Sequence, residues 1–441
     1  MKKKGRLLLL LILIIALGVG VFRYFRDMTA PGIVVSAESG PISTRRPLTT
    51  QLTDAGAGLK SLRVSLVQGE KSVEVVSRDF PPGTAAAEET INLGGANLQE
   101  GPFQVRIIAV DHSPFRFGKG NSNEKVLSFE YDNRPPAVSI LSTAHNINQG
   151  GAGLVVYSVS EAVEKTGISV GGLFFPGYRQ ASGTYVCLFA FPHDMSPSAF
   201  VPKVLAVDLA GNERLAGIYY HLTPKPFPTD RIEVSQRFLE NKIVPDFQHY
   251  YPGITDPLEL FLKVNREMRE QNTQAIFEFG RQTAAQPLWS GVFLRQPNAA
   301  VPGFYAQARS YFHAGQLVDR QTHLGIDLAS TAQAPVPAAN AGKVIFADEL
   351  GIYGECVVID HGLGLQTLYA HLSQMTVQVG ETVSKGQIIG RTGATGMAGG
   401  DHLHLSVLIA GHQVNPLEWW DPNWLKNNIS EKLTLAGVSV Q

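Results

Sequence analysis

His402-Leu403-His404-Leu405-Ser406-Val407-Leu408-Ile409 decides how the last third of this chain is read. Side chains of an extended strand alternate between its two faces, so the imidazoles at i and i+2 share one face. Leu403, Leu405, Val407 and Ile409 share the other and supply core packing. A strand that is apolar behind and carries two histidines in front predicts a sheet with a metal-facing side. Three more residues complete a candidate set. His323-Leu324-Gly325-Ile326-Asp327 contains a glycine and a β-branched residue, which predicts a turn entering a strand rather than a helix. His371 closes the run Leu368-Tyr369-Ala370-His371.

Taken one at a time, each of these residues has an ordinary reading. A His-x-His pair arises without a metal, His323 suits a turn, Asp327 a solvated surface and His371 a satisfied core position. Together they match what metal-assisted hydrolysis requires. Catalytic zinc usually takes three protein N/O ligands and keeps a fourth position for water. The bound water has its pKa lowered to about 7, and the reaction further needs a proton acceptor and a donor for the developing oxyanion. Short glycine-separated strands surround the set: Gly342 to Ala347, Cys356 to Asp360, Gln366 to Ala370 and His402 to Ile409. From Gln321 onward they predict a mostly antiparallel β domain.

The sequence around each of the five residues also resembles one family. Thr322 to Ala329 looks like a first metal motif, and Gly362 to Ser373 like a middle one. Val379 to Val383 with Lys385 to Gly390 looks like a glycine-turned hairpin. Gly393 to Gly396 with His402 to Leu405 looks like the final motif, and Val414-Asn415-Pro416 like the closing strand. In this order, over residues 288–421, the chain resembles the lysostaphin/LytM-type zinc metalloendopeptidases, which cut peptidoglycan peptides. The resemblance implies one zinc ion held by His323, Asp327 and His404. It also implies that His371 and His402 are the unligated pair handling the proton and the oxyanion, with His371 as general base. Peptidoglycan peptides are the implied substrate, and hydrolysis of their cross-links the implied reaction. A non-enzymatic alternative is an activator of a wall amidase, as in relatives that have lost metal ligands; the intact five-residue set favours the enzyme. Asp401 stands where the family usually has Pro, and Tyr305-Ala306 where Phe-Gly is usual, predicting changes at strand entry and in the cleft wall. His361 and His412 match no metal role and are read as structural or exposed. No Gly-x-Ser-x-Gly, His-Glu-x-x-His or phosphate-loop motif is present.

The N-terminus carries a different signal. Lys2, Lys3, Lys4 and Arg6 precede an uncharged apolar run from Leu7 to Phe22, with Arg23, Tyr24, Phe25 and Arg26 after it. The excess of basic residues before the run predicts a cytoplasmic N-terminus and an exported bulk. Residues 1–26 are thus read as an anchor in the cytoplasmic (inner) membrane, single-pass. The alternative is a signal peptide cleaved after Ala16-Leu17-Gly18, leaving a secreted protein.

Between these ends, residues 30–222 read as strands and turns. Gln104 to Asp111 recurs as Lys203 to Asp208, each copy followed by turns, another strand and prolines. A period near 100 residues with many short strands predicts two immunoglobulin-like β-sandwiches, 30–132 and 133–224. They would set reach from membrane to wall or bind an envelope protein partner. His112, His145, His193 and His221 are read as surface or turn residues. Residues 225–287 read as a helical linker. Asp256-Pro257-Leu258-Glu259 starts a helix running to about Asn272 with Leu258, Phe261, Leu262 and Met268 on one stripe, and a second helix is expected over Arg231 to Asn241. The stripe is read as packing on a neighbouring domain, or else as a ligand for a partner's groove. Residues 422–441 read as a tail. The 441-residue chain is therefore expected to be mainly β and multidomain. Cys187 and Cys356 both sit in strand-like apolar runs and are expected to be buried, unpaired thiols. With 37 Lys+Arg against 38 Asp+Glu there is no global field for nucleic acid.

Overall fold

The computed structural model describes residues 2–440. The side chains of Lys2, Lys3, Lys4 and Arg6, whose charges set the expected topology, lie outside the described set. The chain is mainly β with one apolar N-terminal helix, Lys2–Phe25. Within it Leu7–Phe25 is long and apolar enough to cross a membrane, at 19 residues. The chain falls into two compact units. The first holds the residues up to Pro136 with Glu161–Glu164 and Val207–Arg214. The second holds Ala137–Ser160, Lys165–Ala206 and Leu215–Gln441.

In the first unit, strands Leu59–Gln68, Lys71–Asp79, Gly101–Asp111 and Ser122–Tyr131 form a sheet with Pro41–Ile42 at one edge. A second sheet pairs Gly32–Val35, Leu48–Thr53 and Ala86–Ile91. Their alternating inward residues, Leu62, Val64 and Leu66 against Leu48, Leu52 and Ile91, share one apolar core.

In the second unit a large sheet carries the C-terminal motifs. Strand Leu403–Ile409 lies between Leu365–Met375 and Ile326–Ala329. The antiparallel registers place both Asp327 and Ala370 opposite His404. Period-two alternation then does what the sequence predicts: Leu403, Leu405, Val407 and Ile409 are buried in the core behind. That core is continuous with strands Ala152–Val159 and Tyr185–Ala190 and with the C-terminal helices through Trp419, Leu425 and Ile429.

Several elements differ from expectation. Thr229–Glu233 is a strand, pairing in parallel with Gln307–His313. The helix expected from Arg231 instead starts at Gln236, where the Ser235 hydroxyl accepts the Phe238 N–H. The next helix does begin after Asp256, whose carboxylate caps Leu258 N–H. It continues through Val264–Met268 and Arg269–Phe279, past the expected end. Strands return at Ala300–Gly303 rather than at Gln321, because a hairpin of Gln307–His313 and Gln316–His323 precedes the first motif. The stripe is buried: Phe261 and Met268 join Tyr311, Ile352, Tyr353 and Leu368 in one cluster, with Leu258 and Leu262 at its margin. Each such side chain contributes roughly 1.5–3 kcal/mol on burial. Cys187 and Cys356 are both free and buried, as expected. His145 is not a surface residue; it is buried between the Ser142 hydroxyl and the Tyr219 carbonyl.

Glu418 ties the C-terminal helices to the strand at Ala152. Its two oxygens accept Asn148 Nδ2–H at 2.7 Å and Ala152 N–H at 2.9 Å. Burial outweighs both bonds and pushes the carboxyl up to about 7. The ionised form is therefore disfavoured in the folded state. Glu418 costs nothing below the ordinary glutamate range, and stability is lost as pH rises from there to about 7. Glu418→Gln should remove that part of the pH dependence, worth on the order of 3 kcal/mol. Urea unfolding at a series of pH values checks this: a variant curve parallel to the parent's between pH 5 and pH 7 would refute it.

Candidate metal centre

The sheet delivers the five sequence-predicted residues to one cleft. His323 ends a hairpin strand, and Asp327 sits on the next strand. His371 lies where Leu365–Met375 bends, with a left-handed backbone (φ 62°), unusual for a non-glycine residue. His402 enters the central strand, bridging Gly393, and His404 follows two residues on. Ligand atoms of His323, Asp327 and His404 all lie within 4.8 Å of one another.

Asp327 is the hub. Its Oδ1 is 2.9 Å from His323 Nε2, 3.1 Å from His404 Nδ1 and 3.5 Å from His402 Nε2. Its Oδ2 faces the other way and accepts Arg309 Nη2–H at 2.9 Å. Burial opposes the charge of this carboxyl, but hydrogen bonds from His323, His402 and His404 outweigh it and hold it well below the usual range. Sequence reasoning passed over Arg309. It lies on the hairpin strand before His323, and only the sheet fold brings it to Asp327.

The outer nitrogen of each imidazole is already engaged. His323 Nδ1 donates to the Phe304 carbonyl at 2.9 Å, and His371 Nδ1 to the Thr395 carbonyl at 2.9 Å. His402 Nδ1 donates to the Gly400 carbonyl at 2.8 Å. His404 Nε2 meets the Ser406 hydroxyl at 3.0 Å, which itself donates to the Leu324 carbonyl. These partners fix the rings and turn His323 Nε2 and His404 Nδ1, 2.9 Å apart, toward each other and toward Asp327 Oδ1, where each bonds the carboxylate when it carries a proton and presents a lone pair to a cation when it does not. Two imidazole nitrogens and a carboxylate converging in this way fit a tetrahedral divalent ion with one open position. His371 and His402 stand beside the cluster, ring centroids 4.9 Å apart. Burial and the charges of His402 and His404 push His371 well below its ordinary value. Burial alone would lower His402 too, but its hydrogen bond to Asp327 and that charge raise it.

The cleft in front of these groups has a volume of about 710 Å³. Its far wall comes from the helical segment, including Arg237, Phe238, Phe261 and Arg269. The two departures from the family pattern take different places. Asp401 pins the strand entry, accepting Thr392 Oγ1–H at 2.6 Å and Gln333 N–H at 3.0 Å. Tyr305 is not in the cleft wall; it is buried against His193 and Phe227 and donates to the Gln413 carbonyl. His361 is structural, fully buried between the Ala341 carbonyl and Thr367 hydroxyl. His412 packs between Phe175 and Phe277.

The sheet presents a buried cluster of His323, Asp327 and His404 whose ligand-atom spacing suits a metal ion. Residues 321–416 match the model of Peptidase family M23. Over 95 residues it is 43% identical to the DD-carboxypeptidase/endopeptidase Mpg of Neisseria meningitidis serogroup B, covering 22% of each chain. Over 96 residues it is 38% identical to the peptidoglycan DD-endopeptidase ShyA of Vibrio cholerae, again 22% of each. The match thus spans about a fifth of the length of these curated relatives. Among solved structures, a putative M23 peptidase from Pseudomonas aeruginosa aligns at 23% identity and TM-score 0.36, covering 61% of this chain and 92% of that one.

Gly325 is required by close approach: a Cβ there would lie 2.4 Å from His404 Nε2 and 2.8 Å from Ser406 Oγ. Gly325→Ala should therefore displace His404 and lower divalent-metal affinity about 10–100-fold, the scale of losing an outer-shell partner. Competition against a chromophoric chelator measures it, with far-UV circular dichroism as the fold control. Unchanged affinity would show that His404 is not held by this contact.

Proposed function

We propose that the chain is a zinc metalloendopeptidase that hydrolyses peptide cross-links of peptidoglycan, held at the cytoplasmic membrane by its N-terminal helix. The observation that carries this is the convergence of His323, Asp327 and His404 within 4.8 Å, inside the segment that matches the M23 model. The names of the Neisseria and Vibrio relatives, both endopeptidases, support the reaction class.

In this reading His323 Nε2, Asp327 Oδ1 and His404 Nδ1 hold one zinc ion, which supplies Lewis acidity to the site. The chain's own groups do the rest. Thr395 holds the proton of His371 on Nδ1, so Nε2 is the atom free to take a proton from the attacking water. His402, protonated on both nitrogens with its Nδ1–H held by the Gly400 carbonyl and its positive charge favoured by Asp327, offers Nε2–H to the oxyanion of the scissile carbonyl. The helical wall with Phe238, Arg237 and Arg269 gives an extended peptide apolar contact and cations for its carboxylates. Residues 30–132 act as an immunoglobulin-like spacer module between membrane and wall, residues 133–224 act as a second such module whose strands Ala152–Val159 and Tyr185–Ala190 share the core of the catalytic sheet, and both offer surface to an envelope partner. The paired sheets around one core in the first unit support that architecture.

His404→Ala or Asp327→Ala should abolish zinc retention through purification, since two ligands hold zinc poorly. His371→Ala should keep zinc yet lose about 10² or more of its activity. The assay pairs metal analysis with mass analysis of fragments released from purified peptidoglycan. One zinc per chain in His404→Ala would sink the ligand assignment, and zinc loss in His371→Ala would move that residue into the ligand set.

A further inference from the structure

The end of the N-terminal helix is clamped to the first unit with no free linker. Phe25 is its last residue, and by Asp27 the backbone is buried. The Asp27 carbonyl accepts Ser113 Oγ–H at 2.6 Å and Asn121 Nδ2–H at 3.3 Å, and its carboxylate accepts Ala57 N–H at 2.6 Å. A Cβ on Gly56 would lie 2.1 Å from that carboxylate, so glycine is what lets the chain come so close. The helix thus leaves little slack between the apolar run and this pole of the sandwich.

Beside the clamp a knuckle, Phe115–Gly118, turns outward. Arg116, Phe117 and Gly118 all have positive φ, at 54°, 60° and 82°. Two consecutive non-glycine residues in that region are costly and splay the Phe117 ring away from the core. Phe117 is 95% exposed, yet its ring is 6.0 Å from Tyr24. Phe115 lies 5.5 Å from Tyr24 and 6.3 Å from Phe25. Four exposed cations, Arg23, Arg26, Arg116 and Lys119, flank these four aromatic residues within two positions along the chain.

Depth follows from length. The 19 residues Leu7–Phe25 span about 28 Å at a rise of about 1.5 Å per residue, close to a hydrocarbon core of about 30 Å. Tyr24 and Phe25 then fall at the level where aromatic side chains concentrate in membrane proteins. Rings in contact with them share that level. We propose that the Phe115–Gly118 knuckle is a membrane-contact element. Phe117 enters the boundary between headgroups and acyl chains next to Tyr24 and Phe25, and Arg116 and Lys119 meet lipid phosphates. The sandwich then stands on the bilayer by two points, helix and knuckle, which restricts its swing about the helix. This rests on the reading of the helix as an uncleaved span.

The test uses the full chain reconstituted in phosphatidylcholine vesicles containing a minor fraction of phosphatidylglycerol. Nitroxide labels are placed singly at Phe117→Cys, Glu70→Cys and Leu13→Cys. Collision with oxygen reports lipid and collision with a nickel chelate reports water. Cys187 and Cys356 are fully buried, and the parent protein labelled in parallel accounts for any reaction there. Glu70 is exposed in the hairpin turn at the other end of Leu59–Gln68, about 30 Å along the strand from the Leu59–Asp111 pairing. The Phe117 and Leu13 labels should be oxygen-accessible and nickel-protected, with the Glu70 label reversed. A Phe117 label as nickel-accessible as that at Glu70, with Leu13 in lipid, would overturn the knuckle and leave the anchor standing. A Leu13 label in water would overturn both.

Discussion

One buried carboxylate organises the site. Asp327 is taken out of water, a cost it can bear only if both its oxygens are compensated. Oδ1 is turned to three imidazoles and Oδ2 to Arg309. The partners come from the hairpin before it, from its own turn and from the central strand, so antiparallel register is what assembles them. A slip of one residue between Ile326–Ala329 and Leu403–Ile409 would send His404 to the core face and Leu403 or Leu405 into the cleft. The apolar alternation behind the site therefore protects the polar geometry in front. Gly303 serves the same arrangement: a Cβ there would lie 2.3 Å from Asp327 Oδ2 and 2.6 Å from Arg309 Nη2.

The parts of the site that the sequence made legible were those with short periods. His402 and His404 were readable because a strand repeats every two residues, and His323 with Asp327 because Gly325 and Ile326 forbid a comfortable helix. Arg309 was not readable, being 18 residues from Asp327 and brought there by a hairpin and a cross-strand pairing. The same limit hid Tyr305, whose placement depends on His193 and Phe227, residues far away along the chain. His145 shows the converse error. A histidine in a turn-rich stretch reads as exposed until a serine hydroxyl and a distant carbonyl satisfy both its nitrogens.

Helix boundaries failed for local reasons. Arg231-Ile232-Glu233 alternates as well as it winds, and parallel pairing with Gln307–His313 settled it as strand. Ser235 was the capping signal that marks the true start. The Asp256 cap was easier to see because a proline follows it. What the stripe of Leu258, Phe261, Leu262 and Met268 does was visible only in part. Helical spacing shows that it must be covered, whereas its cover, Tyr311, Ile352 and Tyr353, belongs to three-dimensional packing. That packing turns a linker in sequence into a cleft wall in space.

The His cluster carries an internal tension that bears on how metal and fold are coupled. His323 Nε2 and His404 Nδ1 sit 2.9 Å apart, and each ring's other nitrogen is already matched to a carbonyl or hydroxyl oxygen. Two lone pairs facing each other in a buried site repel unless something positive lies between them. A proton shared with Asp327 relieves one contact, while a divalent ion satisfies both nitrogens and Oδ1 together. Burial meanwhile pushes His404 down to about 4, so near neutral pH the proton is a poor occupant. A site that the sheet preorganises at this cost is stabilised by whatever cation fills it, and the binding energy appears as folding energy. The strands that pack the core and the residues that would hold the metal are then parts of one cooperative unit rather than a scaffold and a passenger.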